Sequence, residues 1–572
     1  LVLSMINIIF GCLASSIVML SYGLIFNQAF FKEDTKRINY YEIGIFGFIF
    51  VGFLSLIINF FIPLNKVVGS IFLWVSVIYF IAHLIKSQKK IELFYIIFFL
   101  SFVSFSILVI SNINRPDAGL YHLPYISILN ENKIIIGLTN IHYRFGHTSI
   151  MQHISAIYNN YTFKTEFISS PLASIFSFYL LFVLSEFKKN LDKKNVTLIL
   201  ISFLIIIFSL YSFSRYSNYG NDVPAHIYFF ILVMFFLNIP DLKHVSSHFF
   251  YKITLISIFL FTLKPFMVIV LLIPLFLFIL NKKKLKIIKN TKIVLCFILV
   301  SIWFLKNILI SGCLIFPIKN TCIKSLNYYN ENVVNLASNE GEAWAKGFPD
   351  QKENNKLTLI EYNANFNWLE TWKKNHFKKI QEKILPLLIF ILIFTTPYIL
   401  IKSRNNYQNS KNKIDYNLIL ITIFSFVCSV YWFFYFPVYR FGMSFLATFI
   451  ITIYVLIIFQ FRSFSKINKT FFWILIIIFF LGTMGKNYNR IFKSYDKYYD
   501  GHPWPRIYTL KNNEKNIQKI FESIYDKNNK FLYKYSNGEE CMYSKSPCTH
   551  MLQKKIYKTK ILGFDAFYLN NN

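Results

Sequence analysis

Residues 253–280 have the sequence ITLISIFLFTLKPFMVIVLLIPLFLFIL, an apolar run interrupted in its middle by Lys264 and Pro265. A helix needs about 20 apolar residues to cross the ~30 Å hydrocarbon core of a bilayer. This segment is therefore long for one crossing and short for two. Whether it crosses once or twice determines on which side of the membrane every later loop lies.

Apolar segments of similar character run through most of the 572-residue chain. Its residues are 55% hydrophobic and only 15% charged, and its mean hydropathy is +0.45. This composition is typical of a protein with many membrane spans. The other candidate spans lie near residues 3–26, 43–62, 67–86, 92–111, 168–186, 196–214, 225–238, 293–310, 385–402, 417–436, 441–461 and 470–484.

Clusters of Lys and Arg decide between one crossing and two. Such clusters are enriched in cytoplasmic loops. The dense clusters share one side only if 253–280 forms two short helices that break at Lys264-Pro265. The sequence therefore predicts about 14 transmembrane helices, within a range of 12–14, with both termini outside. The clusters lie at residues 32–37, 86–90, 188–194, 282–289, 402–413 and 462–469.

The predicted fold class is an all-α polytopic membrane protein. Residues 1–484 form the transmembrane domain, with large outer loops at 112–165 and 311–384, and residues 485–572 form a small extracytoplasmic tail. Residues 121–132 and 147–158 are predicted to form short outer-face interfacial helices. In the second, apolar residues recur at helical spacing, which suits a helix that lies in the membrane interface.

The positive charge excludes one class of partner and indicates another. Sixty Lys and Arg against 28 Asp and Glu give a net charge of +32. A nucleic-acid binder needs a continuous solvated basic face, which a chain this apolar does not offer. We therefore expect no nucleic acid as a partner. The cytoplasmic clusters instead meet the anionic head groups of membrane lipids.

Cysteine positions provide a check on this topology. Three of the seven cysteines lie in predicted spans, where a thiol behaves as a small apolar residue. The other four form two close pairs on the predicted outer face. We predict a disulfide in each pair, because the outer compartment is oxidising, although reduced thiols in unrelated loops are the alternative. The pairs are Cys313/Cys322 and Cys541/Cys548.

Isolated charges at the outer ends of spans are the candidate functional groups, because ionisable residues are costly near a membrane. Asp117 follows the fourth span, and it is either a catalytic base or a salt-bridged structural group. Asp222 lies at another span end. Lys264 occupies the predicted helix break, and Arg440 stands alone between two spans. Both cations suit a phosphate, although Arg440 could instead extend to the membrane interface.

Four of the eleven histidines fall within 32 residues, which raises the question of a metal site. Their spacing matches no pair of ligands on one helix, so hydrogen-bonded histidines are the preferred interpretation over zinc. A divalent metal stays compatible with the sequence, but no cofactor is assigned. The four are His122, His142, His147 and His153.

The chain resembles the GT-C class of membrane glycosyltransferases, and more closely a little-characterised group of bacterial multi-spanning proteins near that class. Many spans, outer interfacial helices and an acid in the first large outer loop carry the resemblance. The segments concerned are Asp117–His122, Gly137–Gly146, Trp303–Asn307, Ser311-Gly312, Phe316-Pro317, Pro437–Gly442, and Cys541 with Pro547–Thr549.

The resemblance implies a transfer of sugar from a polyprenyl-phosphate carrier to a glycan or glycolipid acceptor outside the bacterial inner membrane. It places the base or the acceptor-orienting role on Asp117, with Asp222 as a second catalytic acid. The chain departs from the class in having three extra spans before this acid and no paired-acid motif. The residues assigned to substrate binding are His122, His142, Arg144, Lys264 and Arg440.

Two other functions compete with this one. A polysaccharide polymerase or ligase would rely on basic and histidine residues, such as Arg440 and His376, and on the 311–384 loop. A non-enzymatic transporter of lipid-linked sugars would need ionisable residues deep inside its spans. The predicted span interiors are almost free of charge, which counts against the transporter.

Overall fold

The structure, a computed structural model, is predominantly α-helical. Residues 494–521 of the predicted tail and the basic clusters at 32–37 and 282–289 lie outside the described residues. The structure describes residues 2–31, 39–110, 117–212, 219–281, 291–348, 357–404, 415–461, 463–464, 468–493, 522–526, 529–537, 540–553 and 555–569.

Twenty α-helices occur in these ranges. They are α1 (Val2–Phe26), α2 (Tyr40–Asn59), α3 (Lys66–Lys86), α4 (Lys90–Ile110), α5 (Leu123–Glu131), α6 (Ile150–Ile157), α7 (Ser170–Lys193), α8 (Val196–Ser212), α9 (Asp222–Leu237), α10 (Ser247–Leu263), α11 (Leu272–Leu280), α12 (Thr291–Ser311), α13 (Glu331–Lys346), α14 (Leu359–Asn363), α15 (Leu369–Trp372), α16 (Lys378–Phe390), α17 (Thr396–Lys402), α18 (Tyr416–Tyr435), α19 (Tyr439–Phe461) and α20 (Lys469–Lys493).

Within the described residues, nine helical segments are long and apolar enough to cross a membrane, so the chain has the architecture of a multi-pass membrane protein. Five shorter apolar segments of 10–17 residues accompany them. Each predicted span overlaps one of these segments, and 253–280 overlaps two. The nine long segments include α1–α4, α7, α12, the continuous run from α15 into α17, α18 and α19.

The chain breaks at Lys264, as the sequence predicts. Helix α10 ends at Leu263, and the backbone of Lys264 is extended, with φ −151° and ψ 104°. Pro265 then starts a 3-10 turn that leads into α11. The side chain of Asn281 donates a hydrogen bond to the Val245 carbonyl at 2.9 Å. The end of the second helix therefore returns to the start of the first, and the two run antiparallel.

Two glycines allow α1 and α2 to pack backbone against backbone. A Cβ on Gly47 would lie 1.8 Å from the Met19 carbonyl oxygen, and one on Gly23 would lie 2.1 Å from that of Ile43. Small residues at helix contacts give membrane helices their van der Waals attraction, since lipid is as apolar as a leucine side chain. A side chain at either position would force the pair apart.

Helices α5 and α6 form where the sequence predicts them, but the prediction that they lie in the membrane interface is wrong. All eight residues of α6 are buried, and so are the residues of α5 from Leu123 to Asn130. An interfacial helix would leave its polar face in water. Here protein covers both faces: the C-terminal tail bonds to α5, and α6 packs against α2, α3 and α5.

The tail adds β-structure that the all-α prediction did not include. Strand β4 lies between antiparallel β3 and parallel β5, and β6 and β7 form a hairpin. Two dipeptides, β1 and β2, pair between spans. The strands are β1 (Ser403–Arg404), β2 (Ser463–Phe464), β3 (Glu522–Tyr525), β4 (Phe531–Tyr535), β5 (Cys548–Thr549), β6 (Ile556–Ile561) and β7 (Phe564–Leu569).

Backbone hydrogen bonds join the tail to the first large outer loop. The Ile136 amide donates to the Asp565 carbonyl, and the Phe567 amide donates to the Ile136 carbonyl, both at 2.9 Å. The Asn140 side chain also donates to the Phe567 carbonyl at 2.9 Å. The tail is therefore part of the same end of the molecule as this loop.

Candidate functional site

Four isolated charges that the sequence singles out meet at one end of the helical bundle. The Arg440 Nη1 donates to the Asp117 Oδ2 at 2.9 Å, and its Nε lies 3.8 Å from the Asp222 Oδ2. The Lys264 ammonium donates to the other Asp222 oxygen. A loop, a helix start, a helix break and a second helix start thus supply one group each. We call these four residues and Arg144 the charge network.

Arg144 joins the network from the 137–146 segment. Its Nη1 lies 3.8 Å from the Asp117 Oδ1, and its Nε donates to the Tyr143 hydroxyl at 3.2 Å. The guanidinium carbon lies 5.4 Å from the Tyr121 ring centroid. Aromatic faces on two sides keep this cation oriented toward Asp117.

The network is partly buried, so its charges are paired but still accessible. The exposed side-chain fractions are 27% for Asp117, 28% for Asp222 and 42% for Arg440. Arg144 is 23% exposed, whereas Lys264 is 8% exposed and lies 3.3 Å from the Phe441 ring centroid. A ligand could therefore replace one partner of an ion pair without unfolding the site.

Asp117 is ionised at neutral pH. Burial opposes the charged form, but Arg440 and then Arg144 favour it, and the net pKa of Asp117 lies below its ordinary value. Partial desolvation would strengthen a carboxylate as a catalytic base. The two guanidinium groups weaken it instead, so Asp117 suits the orientation of a hydroxyl group better than its early deprotonation.

The turn between α18 and α19 and the side chain of His226 position Arg440. A Cβ on Gly442 would lie 2.4 Å from the Trp432 ring, so glycine lets the turn between α18 and α19 close. The His226 Nε2 is hydrogen-bonded to the Arg440 carbonyl at 2.7 Å, and its Nδ1 to the Ser444 hydroxyl at 2.8 Å. These contacts fix the first turn of α19 and with it the Arg440 side chain.

Of the remaining predicted substrate-binding residues, His122 lies beside the network and His142 lies behind it. Burial lowers the pKa of His122 to about 4 against the opposing effect of Asp117 and Asp222, so its imidazole is neutral. The His142 Nδ1 accepts a hydrogen bond from the Arg144 amide at 3.0 Å, and its ring contacts that of His550. His142 therefore positions Arg144.

The four histidines of the first loop do not form a metal site. Among the residues that the structure describes, no three His, Cys, Asp or Glu side chains could hold a metal ion together. Arg440 also fills the position between Asp117 and Asp222 where a divalent cation would bridge them. These residues therefore do not fit a metal ion.

Both predicted disulfides are present. Cys313 pairs with Cys322, and Cys541 pairs with Cys548. The second disulfide closes a loop of the tail, four of whose residues bond to the 119–131 segment. The Met542 amide donates to the Gly119 carbonyl at 2.9 Å, and the Ser127 hydroxyl donates to the Ser544 carbonyl at 2.5 Å.

Two further tail residues complete this contact. The Tyr543 hydroxyl donates to the Asn130 Oδ1 at 2.7 Å, and the Ser546 amide donates to the Glu131 Oε2 at 3.0 Å. The tail thus covers the helix that follows Asp117. Sequence reasoning missed it, because about 400 residues separate the partners and the cysteine pair was the only signal.

The tail also brings a third acid close to the site. A Cβ on Gly119 would lie 2.2 Å from the Glu540 carboxylate. A Cβ at this position, two residues after Asp117, would require that side chain to move. Nothing in the sequence around Glu540 marks it as a neighbour of the first outer loop.

Comparison with known proteins gives a family without an assigned activity. The family described as "Domain of unknown function (DUF8201)" matches residues 5–447. The chain belongs to this family. The match includes Asp117, Asp222, Lys264 and Arg440, and it ends before the tail. No curated protein and no solved structure matches the chain.

Proposed function

We propose that this DUF8201 protein is a membrane glycosyltransferase that moves a sugar from a polyprenyl-phosphate carrier to a cell-envelope glycan or glycolipid. The observation that carries the proposal is the shared position of Arg440 between Asp117 and Asp222. Two carboxylates and three cations at the end of an apolar bundle offer both an acceptor for a hydroxyl proton and donors for a phosphate.

In the proposed reaction, an acceptor hydroxyl attacks the anomeric carbon of the donor sugar. The bond between that carbon and the phosphate oxygen breaks, and the polyprenyl phosphate leaves with the electron pair. Arg440 and Arg144 stabilise the charge that develops on this oxygen, because a preformed cation needs no reorganisation. Asp117 orients the hydroxyl group and receives its proton.

The remaining two members of the network have supporting roles. Lys264 is almost fully buried and bonds to Asp222, so Asp222 neutralises it in the absence of substrate. When a phosphate enters, Asp222 keeps Lys264 directed at the site. Removal of Asp222 would leave a buried cation without a partner, which is costly.

We propose further that the chain lies in the bacterial inner membrane with the network on the extracytoplasmic side. The disulfide loop Cys541–Cys548 packs on the segment that follows Asp117, and disulfides persist in oxidising compartments. Described basic residues such as Lys189, Lys252 and Lys469 lie at the opposite end of the bundle, which the positive-inside rule assigns to the cytoplasm.

A polysaccharide polymerase or ligase is the second candidate, because the 311–384 loop lies beside the network. The Trp372 indole donates to the Pro437 carbonyl at 2.6 Å, three residues before Arg440. A long acceptor chain could therefore be guided by the loop. This function predicts a loss of long products when Trp372 is replaced, with short products retained.

The test compares surface glycans and glycolipids from a deletion strain complemented with the wild type, with Asp117→Asn, or with Lys189→Met. Lys189 pairs with Glu186 at the opposite end and serves as the control. We expect the Asp117 variant to match the deletion strain at normal protein abundance, and the Lys189 variant to match the wild type. Unchanged glycans in the Asp117 variant would refute the proposal.

A further inference from the structure

His122 is connected to the start of α6 through one buried amide side chain. Gln152 occupies the first turn of α6, and its Oε1 accepts a hydrogen bond from the Ser149 amide at 2.8 Å. The Ser149 hydroxyl in turn accepts a bond from the Met151 amide at 3.2 Å. A backbone amide can only donate, so the oxygen and nitrogen of the Gln152 side chain are unambiguously assigned.

This assignment fixes the tautomer of His122. The Gln152 Nε2 lies 2.9 Å from the His122 Nδ1, and an amide nitrogen can only donate. The Nδ1 atom must therefore accept, and the proton of the neutral ring lies on Nε2. Both side chains are buried, with 3% and 8% of their surface exposed, so water does not compete for this bond.

The protonated nitrogen faces the charge network. A Cβ on Gly220 would lie 3.5 Å from the His122 Nε2, which places this atom at the loop before Asp222. The titratable and charged groups around the ring are Asp117, Asp222, Arg440, Arg144 and Tyr121, whose ring is tilted by 49° against that of His122. No hydrogen bond to Nε2 occurs within the part of the chain that the structure describes.

We propose that the neutral His122 ring donates a hydrogen bond from Nε2 to a phosphate oxygen of the bound substrate. Gln152 is the positioning residue that holds His122 in this tautomer. This role rests on the proposed function, because the phosphate belongs to the proposed polyprenyl-phosphate donor. Because the ring is neutral, it forms no ion pair with Asp117 or Asp222. Its Nε2–H group is therefore available to the ligand. The low pKa of His122 supports this role, because the ring remains uncharged at neutral pH.

The first test changes Gln152 and measures His122. Gln152→Glu keeps an acceptor for the Ser149 amide, since glutamate also forms this cap. It replaces the donor opposite Nδ1 by a carboxylate, which should raise the pH midpoint of His122 by about 1 to 3 pH units. Gln152→Met removes the bond without adding charge and should leave the midpoint low. Exchange of the imidazole C2 hydrogen, followed by peptide mass spectrometry, reads this midpoint.

The second test measures binding of farnesyl phosphate to the purified full-length protein. His122→Gln keeps an N–H group at a similar reach, whereas His122→Phe removes it. We expect His122→Phe to weaken binding about 10- to 100-fold and His122→Gln to weaken it less than about threefold. An unchanged midpoint in Gln152→Glu, or equal affinities of the two His122 variants, would overturn the proposal.

The outcomes separate this proposal from the proposed function. In one outcome, His122→Phe binds farnesyl phosphate more weakly than His122→Gln, but Asp117→Asn leaves surface glycans unchanged. Glycosyl transfer is then refuted, and the donor role of His122 stands. If Asp117→Asn abolishes the glycan but the two His122 variants bind alike, the donor role is refuted and transfer stands.

Discussion

The two ends of the helical bundle both carry ion pairs, but they arrange them differently. At the end away from the site, the described ion pairs each join one acid to one cation. At the site, two acids and three cations share contacts, and Arg440 bridges both acids. Examples at the opposite end are Lys252 with Glu42, Lys189 with Glu186, and Lys469 with Asp192.

This difference separates an anchoring role from a binding role. In each of these pairs the carboxylate neutralises the cation, which leaves no net charge to attract a phosphate. A bridged network retains spare hydrogen-bonding capacity. A guanidinium group offers five donors, and among the described residues Arg440 directs Nη1 at Asp117 and Nε at Asp222. The site end is therefore where an added phosphate can gain contacts without first breaking the fold.

The largest expected effect comes from Arg440→Met. It removes the bridge between Asp117 and Asp222 and the main candidate donor to a phosphate. We expect the surface product to fall about 100-fold or more. Quantified glycans at matched protein abundance check this. Lys189→Met, the control at the opposite end, should leave the product unchanged, and equal losses in both variants would erase the distinction between the ends.

A smaller effect, on stability alone, is expected from Lys252→Met. Lys252 and Glu42 are 7% and 20% exposed, so the substitution strands a partly buried carboxylate. We expect the free energy of unfolding to drop by about 3 kcal/mol, whereas the product per folded molecule stays constant. Unfolding in detergent and product per folded protein are the two measurements. A loss of product at full stability would give this end a role in binding.

Acidification should destabilise the site end. Burial lowers the pKa of His122 in the folded protein to about 4, below its ordinary value of 6.5. Between these values the unfolded chain binds the extra proton, so stability is full above pH 6.5 and falls toward pH 4. At pH 5 the expected loss from His122 is about 2 kcal/mol. Thermal unfolding at pH 7 and pH 5 should show a smaller difference in His122→Gln than in the wild type.

The smallest effect is expected from Lys469→Ala. Lys469 and Asp192 form an exposed pair, with 56% and 61% of their side chains in solvent. Such pairs contribute little, because water and salt screen them. The thermal midpoint and the glycan product should both match the wild type. A shift comparable to that of Lys252→Met would show that exposure does not distinguish these pairs.

The sequence alone predicts much of the architecture, because apolar length and basic clusters are local signals. The helix break at Lys264, both disulfides and the helical segments follow from such signals. The isolated charges Asp117, Asp222, Lys264 and Arg440 could be named, since a charge at a span end is conspicuous. The contact of Arg440 with both Asp117 and Asp222 could not be predicted, because it depends on how separate elements of the fold pack together.

Other features of the site have no local signal at all. The burial of α5 depends on the tail, and that of α6 on α2, α3 and α5; all of these partners except α5 are distant in sequence. The hydrogen bond between Gln152 and His122 requires the α6 start to face the segment after Asp117. Periodicity predicts that a helix forms, but not which element covers it.

The most direct test of the central claim is the affinity of the purified protein for farnesyl phosphate in lipid nanodiscs. Wild type, Arg440→Met and Lys252→Met are compared at one pH and one salt concentration. If the charge network binds phosphate, Arg440→Met weakens binding at least about tenfold, whereas Lys252→Met binds like the wild type. Equal affinity in all three proteins would contradict it.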